Sequence, residues 1–325
     1  MSTVSIIVAI YNIEEYLEKC LDSLRVQTFS DITVYCVNDG SKDNSKAIAK
    51  RFCNADPRFI LCDKPNGGLS DARNHALKMV KSKYVMFVDG DDFVAPEMVE
   101  HAVARAERDE LDLLIFDYNQ YYLATGKSEV RSVPFEDGKI YALKETPELL
   151  CYVGNNAWNK LYRTELFRKN GIEYPKGYVQ EDLGTTPKLL YLAGRIGFLH
   201  EPLYNYLIDR PNNITQEKNE RIYHILKMCE SFVSFYREKG AFEKYYEELK
   251  YLSSINILYS LKKLPYFTDK AFVDGFIDAT FTWIRNNFPD FPKCRYMLYT
   301  YKEDRIYLNR QLLQLYLAYK RIIRK

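Results

Sequence analysis

The residues best suited to chemistry are Asp89-Gly90-Asp91-Asp92, three carboxylates within four positions. Carboxylates this close repel one another unless a cation neutralises them. Hard oxygen ligands around a glycine suit Mg2+ or Mn2+ already bound to a diphosphate, where the ion acts as a Lewis acid toward the departing phosphate. The plainer alternative is a solvated acidic turn in which Asp92 caps a helix over 93–105. Asn38-Asp39-Gly40-Ser41 offers a carboxylate able to accept from a base N–H, with Gly40 allowing close backbone approach; an ordinary strand-to-helix turn has the same residues. Asn66-Gly67-Gly68-Leu69-Ser70-Asp71-Ala72-Arg73-Asn74 is a glycine-rich loop entering a helix, whose free N–H groups and Arg73 suit phosphate or pyrophosphate. It matches neither the nucleoside-triphosphate loop nor the Gly-x-Gly-x-x-Gly fingerprint, and Arg73 serves equally well as a structural ion-pair partner.

Four short apolar runs precede these clusters: Val4–Ile10, Thr33–Val37, Phe59–Cys62 and Tyr84–Val88, with a fifth at Asp112–Phe116. Helical spacing lies between them: Tyr16, Leu17, Cys20, Leu21 and Leu24, then Asn44–Cys53, then Asp71–Val80. Asn12 followed by Glu15 reads as a capping box for the first helix. This alternation predicts an α/β fold with a mostly parallel sheet covered on both faces, and in such sheets ligands bind beyond the carboxyl ends of the strands. That rule selects Tyr11-Asn12, Asn38–Ser41, Lys64–Gly68 and Asp89–Asp92.

The 325 residues carry 47% apolar and 28% charged side chains, an ordinary globular balance. Seven cysteines without a Cys-x-x-Cys pair predict reduced, buried thiols and no zinc site. No charged leader and no apolar run near the length of a membrane span is present, so a cytoplasmic protein is expected. From residue 216 onward 20 lysines and arginines face 13 aspartates and glutamates, against 26 and 31 before it. The basic tail is helical in pattern: a first stripe from Ile222 to Tyr236, a second through Leu249, Leu252, Ile255 and Tyr259, a third through Phe272, Phe276 and Phe281, and a last through Leu312, Leu313, Tyr316, Tyr319 and Ile323. Its tyrosines, part of 28 in the chain, suit amphipathic surfaces, though genome-wide bias explains such an excess as readily.

Taken in order and spacing, Ala9-x-Tyr11-Asn12, Asn38-Asp39-Gly40-Ser41, Asn66-Gly67-Gly68 with Ala72-Arg73-Asn74, and Asp89-Gly90-Asp91-Asp92 resemble the family 2 glycosyltransferases over roughly residues 3–215. The resemblance implies a GT-A fold, an inverting mechanism and a UDP-sugar donor. It implies that Asp39 recognises the base, that Asp89 lies near the ribose and that Asp91, with Asp89, holds Mn2+ or Mg2+. Tyr11, Asn12, Asn66, Gly67, Arg73 and Gly90 join the donor site, as does Ala9, where relatives often carry proline. Gln180-Glu181-Asp182-Leu183 resembles the family's Glu-Asp motif, which makes Asp182 the base that deprotonates the acceptor, with Glu181 next. Read without the resemblance, it is an acidic first turn complementing a helix dipole. Trp158-Asn159-Lys160-Leu161-Tyr162 resembles an acceptor-side segment, which places Trp158 against a sugar face and Lys160 at the acceptor; a core tryptophan fits the sequence equally well, and Lys160 is open to pairing with phosphate or with an acidic neighbour. Tyr204-Asn205-Tyr206, Arg210 and Asn213-Ile214-Thr215 resemble the closing motif, in which Arg210 meets the diphosphate.

These expectations divide the chain into a GT-A catalytic domain, 1–215, and an α-helical C-terminal region, 216–325, for acceptor, oligomer or membrane-surface contacts. The acceptor is a hydroxyl of a glycan or lipid-linked molecule in bacterial surface polysaccharide assembly, such as capsule. Nucleic acid is not an expected partner; a homo-oligomer and peripheral contact with the inner membrane face through the basic tail stay open. Two rivals remain. A nucleotidyltransferase would place a glycine-rich, basic loop after the first strand, where Tyr11-Asn12-Ile13-Glu14-Glu15 stands. A non-catalytic nucleotide-sugar-binding partner is disfavoured by Asp89, Asp91 and Asp182.

Overall fold

The computed structural model describes residues 2–209, 220–296, 304–307 and 309–323. They fall into two compact units, Met1–Thr146 with Tyr152–Asn213, and Pro147–Cys151 with Ile214–Lys325. The first contains β1 (Val4–Ile10), α1 (Glu14–Arg25), β2 (Ile32–Asp39), α2 (Ser45–Ala55), β3 (Phe59–Lys64), α3 (Leu69–Leu77), β4 (Tyr84–Asp89), β5 (Phe93–Val94), α4 (Met98–Arg108), β6 (Leu113–Tyr122), β7 (Ser128–Arg131) and β8 (Ile140–Tyr141). The short α5 (Leu149–Tyr152) precedes β9 (Lys160–Arg163), α6 (Glu165–Arg168), α7 (Glu181–Leu192) and β10 (Ile196–Ile208). The second unit holds α8 (His224–Glu238), α9 (Tyr246–Leu261), α10 (Lys270–Asn287), α11 (Asp304–Tyr307) and α12 (Arg310–Ile323).

The strands form one mixed sheet in the order β3-β2-β1-β4-β9-β6-β10-β5, with β7 on β6 and β8 on β10. The four parallel strands β3, β2, β1 and β4 are the expected half. Val4, Ile6, Ile7, Val8 and Ile10 of β1 are at most 1% exposed, as a central strand covered on both faces requires. The expectation misses β9, which lies antiparallel between β4 and β6 through Met86–Leu161 and Leu114–Leu161. Four residues whose partners are both distant carry little local signal. β9 is what brings Lys160 to the middle of the sheet.

Strand order reverses at β1, flanked by β2 and β4. At such a switch point the following loops diverge to opposite faces and leave a crevice. The register sets Ala9 beside Asp89 and Ile10 beside Asn38, so all four clusters selected from the sequence meet at this edge.

Two local expectations are corrected. The helix after Asp92 begins at Met98, behind the two-residue β5, so Asp92 caps nothing. Asn12 and Glu15 form no capping box. The first N–H groups there are accepted from 29 to 32 residues away: Asn12 N–H by Ser41 Oγ (3.2 Å), Ile13 N–H by Ser45 Oγ (3.0 Å) and Glu14 N–H by Asp43 Oδ2 (3.0 Å). Asn12 Oδ1 and Glu14 Oε2 accept Lys42 N–H and Asn44 N–H in return. This exchange satisfies donors that a helix start leaves open and locks the first two loops together.

In the helical unit the first stripe is buried as expected, with Ile225, Cys229, Phe232, Val233 and Tyr236 at most 1% exposed, and Phe276 and Phe281 of α10 are buried too, whereas the buried faces of α9 and α12 run beside the expected stripes. α9 buries Leu249, Leu252, Ile257, Leu258 and Leu261 while Tyr259 is 57% exposed. α12 buries Leu313 and Leu317 and exposes Leu312 and Tyr319. No helix among the described residues is long and apolar enough to cross a membrane. None of the seven cysteines forms a disulfide.

Candidate active site

At the end of β2, Asp39 is 2% exposed and organises the glycine-rich loop. Its Oδ1 accepts Lys64 Nζ and Gly67 N–H (2.9 Å), and its Oδ2 accepts Gly68 N–H (2.7 Å) and Asn66 Nδ2 (3.2 Å). Each oxygen already holds two donors, so a base N–H reaches the carboxylate by displacing one. Lys64 has other acceptors at hand, Asp71 Oδ2 (2.6 Å) and Pro65 O (2.7 Å). Asp71 in turn pairs with Lys176 as well, and hydrogen bonds from Lys176 and Lys64 bring its pKa down to about 2. Gly40 has φ +70°, and a Cβ there would stand 2.8 Å from Asn66 N, so only glycine lets these two loops close. Gly90 is required for room: its Cβ would meet Ile13 Cδ1 at 2.5 Å and Ala9 O at 2.9 Å.

Arg73 is the centre of the site. It is 1% exposed, and its guanidinium collects carboxylates from two distant segments. Nη2 donates to Asp89 Oδ1 (2.8 Å); Nη1 donates to Glu181 Oε1 (2.8 Å) and Asp182 Oδ1 (2.6 Å). The rings of Tyr174 and Phe87 lie 5.1 and 5.8 Å from it. Gln180, at φ 63°, turns the chain so that Glu181 and Asp182 start α7 facing Arg73. One cation among three carboxylates leaves the cluster short of positive charge. Burial, with Asp182 adding to it, pushes Glu181 up to about 7 against the pull of Arg73. Burial also raises Asp182, which Arg73, the Ala157 N–H and Lys160 hold back. Asp182 reaches solvent more than Glu181 does, 19% against 8% of the side chain.

A family model, Glycosyl transferase family 2, matches residues 5–171. EpsJ of Bacillus subtilis, an uncharacterized glycosyltransferase, is 33% identical over 245 residues, covering 73% of this chain and 70% of that one. This chain belongs to glycosyl transferase family 2. Among solved structures, S. aureus TarS 1-349 in complex with UDP-GlcNAc aligns at TM-score 0.75 and 20% identity over 97% of this chain and 91% of that chain. The mannosyltransferase PcManGT from Pyrobaculum calidifontis, in complex with GDP-Man and Mn2+, aligns at 0.52 and 14% identity, covering 100% and 88%. The fold of the transferase is therefore GT-A, with a helical C-terminal region.

Of the expected site residues, Ala9, Tyr11, Asn12, Asp39, Asn66, Gly67, Asp89, Gly90 and Asp91 lie along the crevice edge formed by β1 to β4 and the loops that follow. Arg73 joins them to Glu181 and Asp182. Its bonds run to carboxylates, the ion-pair reading the sequence left open. Arg210 and the 215/216 boundary lie outside the described residues. Among the described residues no group of three or more His, Cys, Asp or Glu is arranged to hold a metal. The third carboxylate of the motif is turned inward: Asp92 is 2% exposed, accepts Tyr204 Oη–H (2.7 Å) and Leu207 N–H (2.8 Å), and so fastens the end of β4 to β10. Asp89, one oxygen of which accepts from Arg73, and Asp91 stand at the crevice edge, a pair that fits an ion completing its shell with substrate phosphates and water.

Two acceptor-side expectations are revised. Trp158 is 7% exposed, stacked on Tyr204 (4.4 Å between centroids) and Tyr206 (5.2 Å) with Tyr118 at its edge (4.7 Å). Its ring faces are taken by tyrosines and leave little for a sugar. Lys160 is fully buried and donates to Gly154 O, Asn156 O and Asn159 Oδ1. Tyr204 was missed as a site residue; besides bonding Asp92, its Oη accepts the Asp89 N–H (3.1 Å). The sequence signal was the closing motif, which pointed past it to Arg210.

Proposed function

We propose that this family 2 glycosyltransferase moves a sugar from a UDP-sugar to a hydroxyl of a glycan or lipid-linked acceptor, with inversion, and that Asp182 is the base. The observation that carries the reading is the shared guanidinium: Arg73 ties the β4 carboxylate Asp89 to Asp182, so the donor end of the crevice and the base are fixed to one rigid group. Among the described residues, Arg73 Nη1 donates to Asp182 Oδ1 and the Ala157 N–H to Oδ2, one donor on each oxygen, which leaves each a lone pair for a substrate proton.

The chemistry follows from that placement. The acceptor hydroxyl gives its proton to Asp182 as its oxygen forms the bond to the anomeric carbon. The bond from that carbon to the UDP oxygen breaks, and UDP leaves with the electron pair. A bound Mn2+ or Mg2+ ion, held by Asp91 and Asp89, supplies charge stabilisation for the departing diphosphate. Asp39 sits among the donors Lys64, Asn66 and the Gly67 and Gly68 N–H groups, which it already accepts. Uracil, a donor N–H between two carbonyls, would exchange for one of them, its N–H meeting Asp39 and a carbonyl taking the displaced donor. The binding of UDP-GlcNAc by TarS and of GDP-Man with Mn2+ by PcManGT supports a nucleotide-sugar donor with a divalent ion. Residues 1–215 are the catalytic domain in this reading, and the basic helices of 216–325 serve the acceptor, a second copy or an anionic membrane on the cytoplasmic side. Bacterial surface polysaccharide assembly is the setting.

The test is UDP release from a panel of UDP-sugars with Mn2+ or Mg2+ and candidate acceptors, in wild type, Asp91→Ala and Asp182→Asn. Metal-dependent turnover lost in both variants, with UDP binding kept in Asp182→Asn, is expected. Absence of UDP-sugar binding by the folded protein would remove the donor assignment.

A further inference from the structure

A lysine removed from solvent needs a reason, and Lys160 has a specific one. Its side chain is 0% exposed, and its three N–H bonds meet three oxygens, Gly154 O (2.9 Å), Asn156 O (2.5 Å) and Asn159 Oδ1 (2.8 Å). All three belong to the irregular loop 154–159, which has no regular ladder to fix it. Three further hydrogen bonds tie that loop to neighbouring elements. Thr186 Oγ1 of α7 donates to Asn155 O (2.5 Å), Tyr162 Oη of β9 donates to Ala157 O (3.2 Å), and Asn159 Nδ2 donates to Phe116 O of β6 (2.7 Å). Held on three sides, the loop has one N–H aimed outward at chemistry: Ala157 N–H, 3.0 Å from Asp182 Oδ2.

We propose that Lys160 is a positioning residue for the transfer reaction, winding loop 154–159 so that the Ala157 N–H orients the Asp182 carboxylate toward the acceptor hydroxyl. The proposal rests on the reading of Asp182 as the base. Arg73 grips one carboxylate oxygen and Ala157 the other, so the plane of the carboxylate is set by two donors from different segments. With Arg73 alone the group would rotate about its remaining bonds. Lys160 touches no substrate; it acts through three carbonyl-type oxygens and one amide. The charged and titratable groups facing Asp182 are Arg73, Glu181, Asp89, Tyr162, Tyr174 and Lys160 itself.

Lys160→Met keeps the length of the stem and removes the ammonium. Its kcat for UDP release is expected to fall about 10- to 100-fold, the scale of a small misplacement of a catalytic group, while the donor KM stays within about twofold. The acidic limb of the kcat profile moves to higher pH, because Asp182 loses an N–H bond and a nearby positive charge that both favour its anion. Tyr162→Phe and Thr186→Val each delete one loop anchor with little change in packing, and carry the test if Lys160→Met fails to fold; smaller losses of kcat with the same direction of pH shift are expected. Wild-type kcat and limb position in these variants, with Asp182→Asn inactive, would overturn the positioning role and leave the base assignment intact. A loss of stability or a matched change in kcat and KM, without movement of the limb, would overturn it too. Full activity in Asp182→Asn would remove the base reading and this inference with it.

Discussion

Arg73 and Lys250 are both cations withdrawn from water and both held by carboxylates, yet their clusters are built to opposite ends. Lys250 is 0% exposed in its side chain and pairs with Glu247 Oε1 (2.7 Å) and Asp290 Oδ2 (2.8 Å), which are themselves 34% and 45% exposed. The carboxylates stay hydrated, and hydrogen bonds from Lys250 and Tyr246 hold Asp290 below its ordinary range. Arg73 is as deeply placed, but its three partners are at most 25% exposed and outnumber it, and burial drives Glu181 and Asp182 upward. A carboxyl whose pKa falls on folding adds stability in its charged form; one whose pKa rises costs stability in that form. Perturbation of the second kind, at the mouth of a crevice, marks groups held for proton transfer. Buried cations paired with carboxylates therefore make a brace in the helical unit and, on the proposed reading, a reactive cluster in the α/β unit.

The comparison breaks first at Asp182. Asp182→Asn preserves shape but cannot take a proton, and UDP release is expected to fall by ~10²–10⁴, while UDP binding measured by calorimetry is kept. A variant that turns over near the wild-type rate would make the Arg73 cluster a brace as well.

Removing the cation comes next. Arg73→Gln leaves Asp89, Glu181 and Asp182 facing one another without a charge between them. Breaking a buried pair in this way costs about 3–5 kcal/mol, read from the urea midpoint at pH 7. The deficit should narrow toward pH 5, as Glu181 takes up a proton and the excess negative charge falls. Lys250→Met is expected to cost less, about 1–2 kcal/mol, because its hydrated partners regain water and their pairing was screened. It should leave the pH profile of turnover unchanged; movement of that profile would tie the Lys250 cluster to the chemistry.

How much of this was legible in the sequence follows the same divide. β1 to β4 and the loops after them could be read because short apolar runs end in Asn, Asp and Gly, and the geometry of a parallel sheet does the rest. The pairing of Arg73 with Glu181 and Asp182, more than 100 residues on, was not legible locally. Neither was the capping of α1 by Ser41, Asp43 and Ser45, nor the inward turn of Asp92, since each depends on a partner brought near by the sheet. On α9 apolar and aromatic side chains occur around most of the helix, so spacing alone could not choose between Tyr259 and Leu258. Lys160 was expected on the acceptor side because a lysine usually keeps its charge near water or an anion; its burial follows from β9, the strand that was not anticipated.

The smallest effect sharpens the comparison most directly, because the two clusters should bend the pH dependence of stability in opposite senses. Glu181 has an ordinary value of 4.5 and stands near 7 in the folded protein. Between those values the folded state holds a proton that the unfolded state has released, so stability falls as pH rises through that window. Asp290 is lowered from 3.8. Its contribution is complete above that value and is lost as pH falls below it toward the folded one. Urea unfolding from pH 3 to 8 separates the two. Glu181→Gln should flatten the decline from about pH 4.5 to 7 and leave the acid side alone, whereas Asp290→Asn should show a constant deficit at neutral pH that closes only below about pH 4. If Glu181→Gln keeps the wild-type decline, the excess negative charge of the Arg73 cluster is relieved at another group, and Asp182, sharing the same guanidinium, is the next carboxyl to replace.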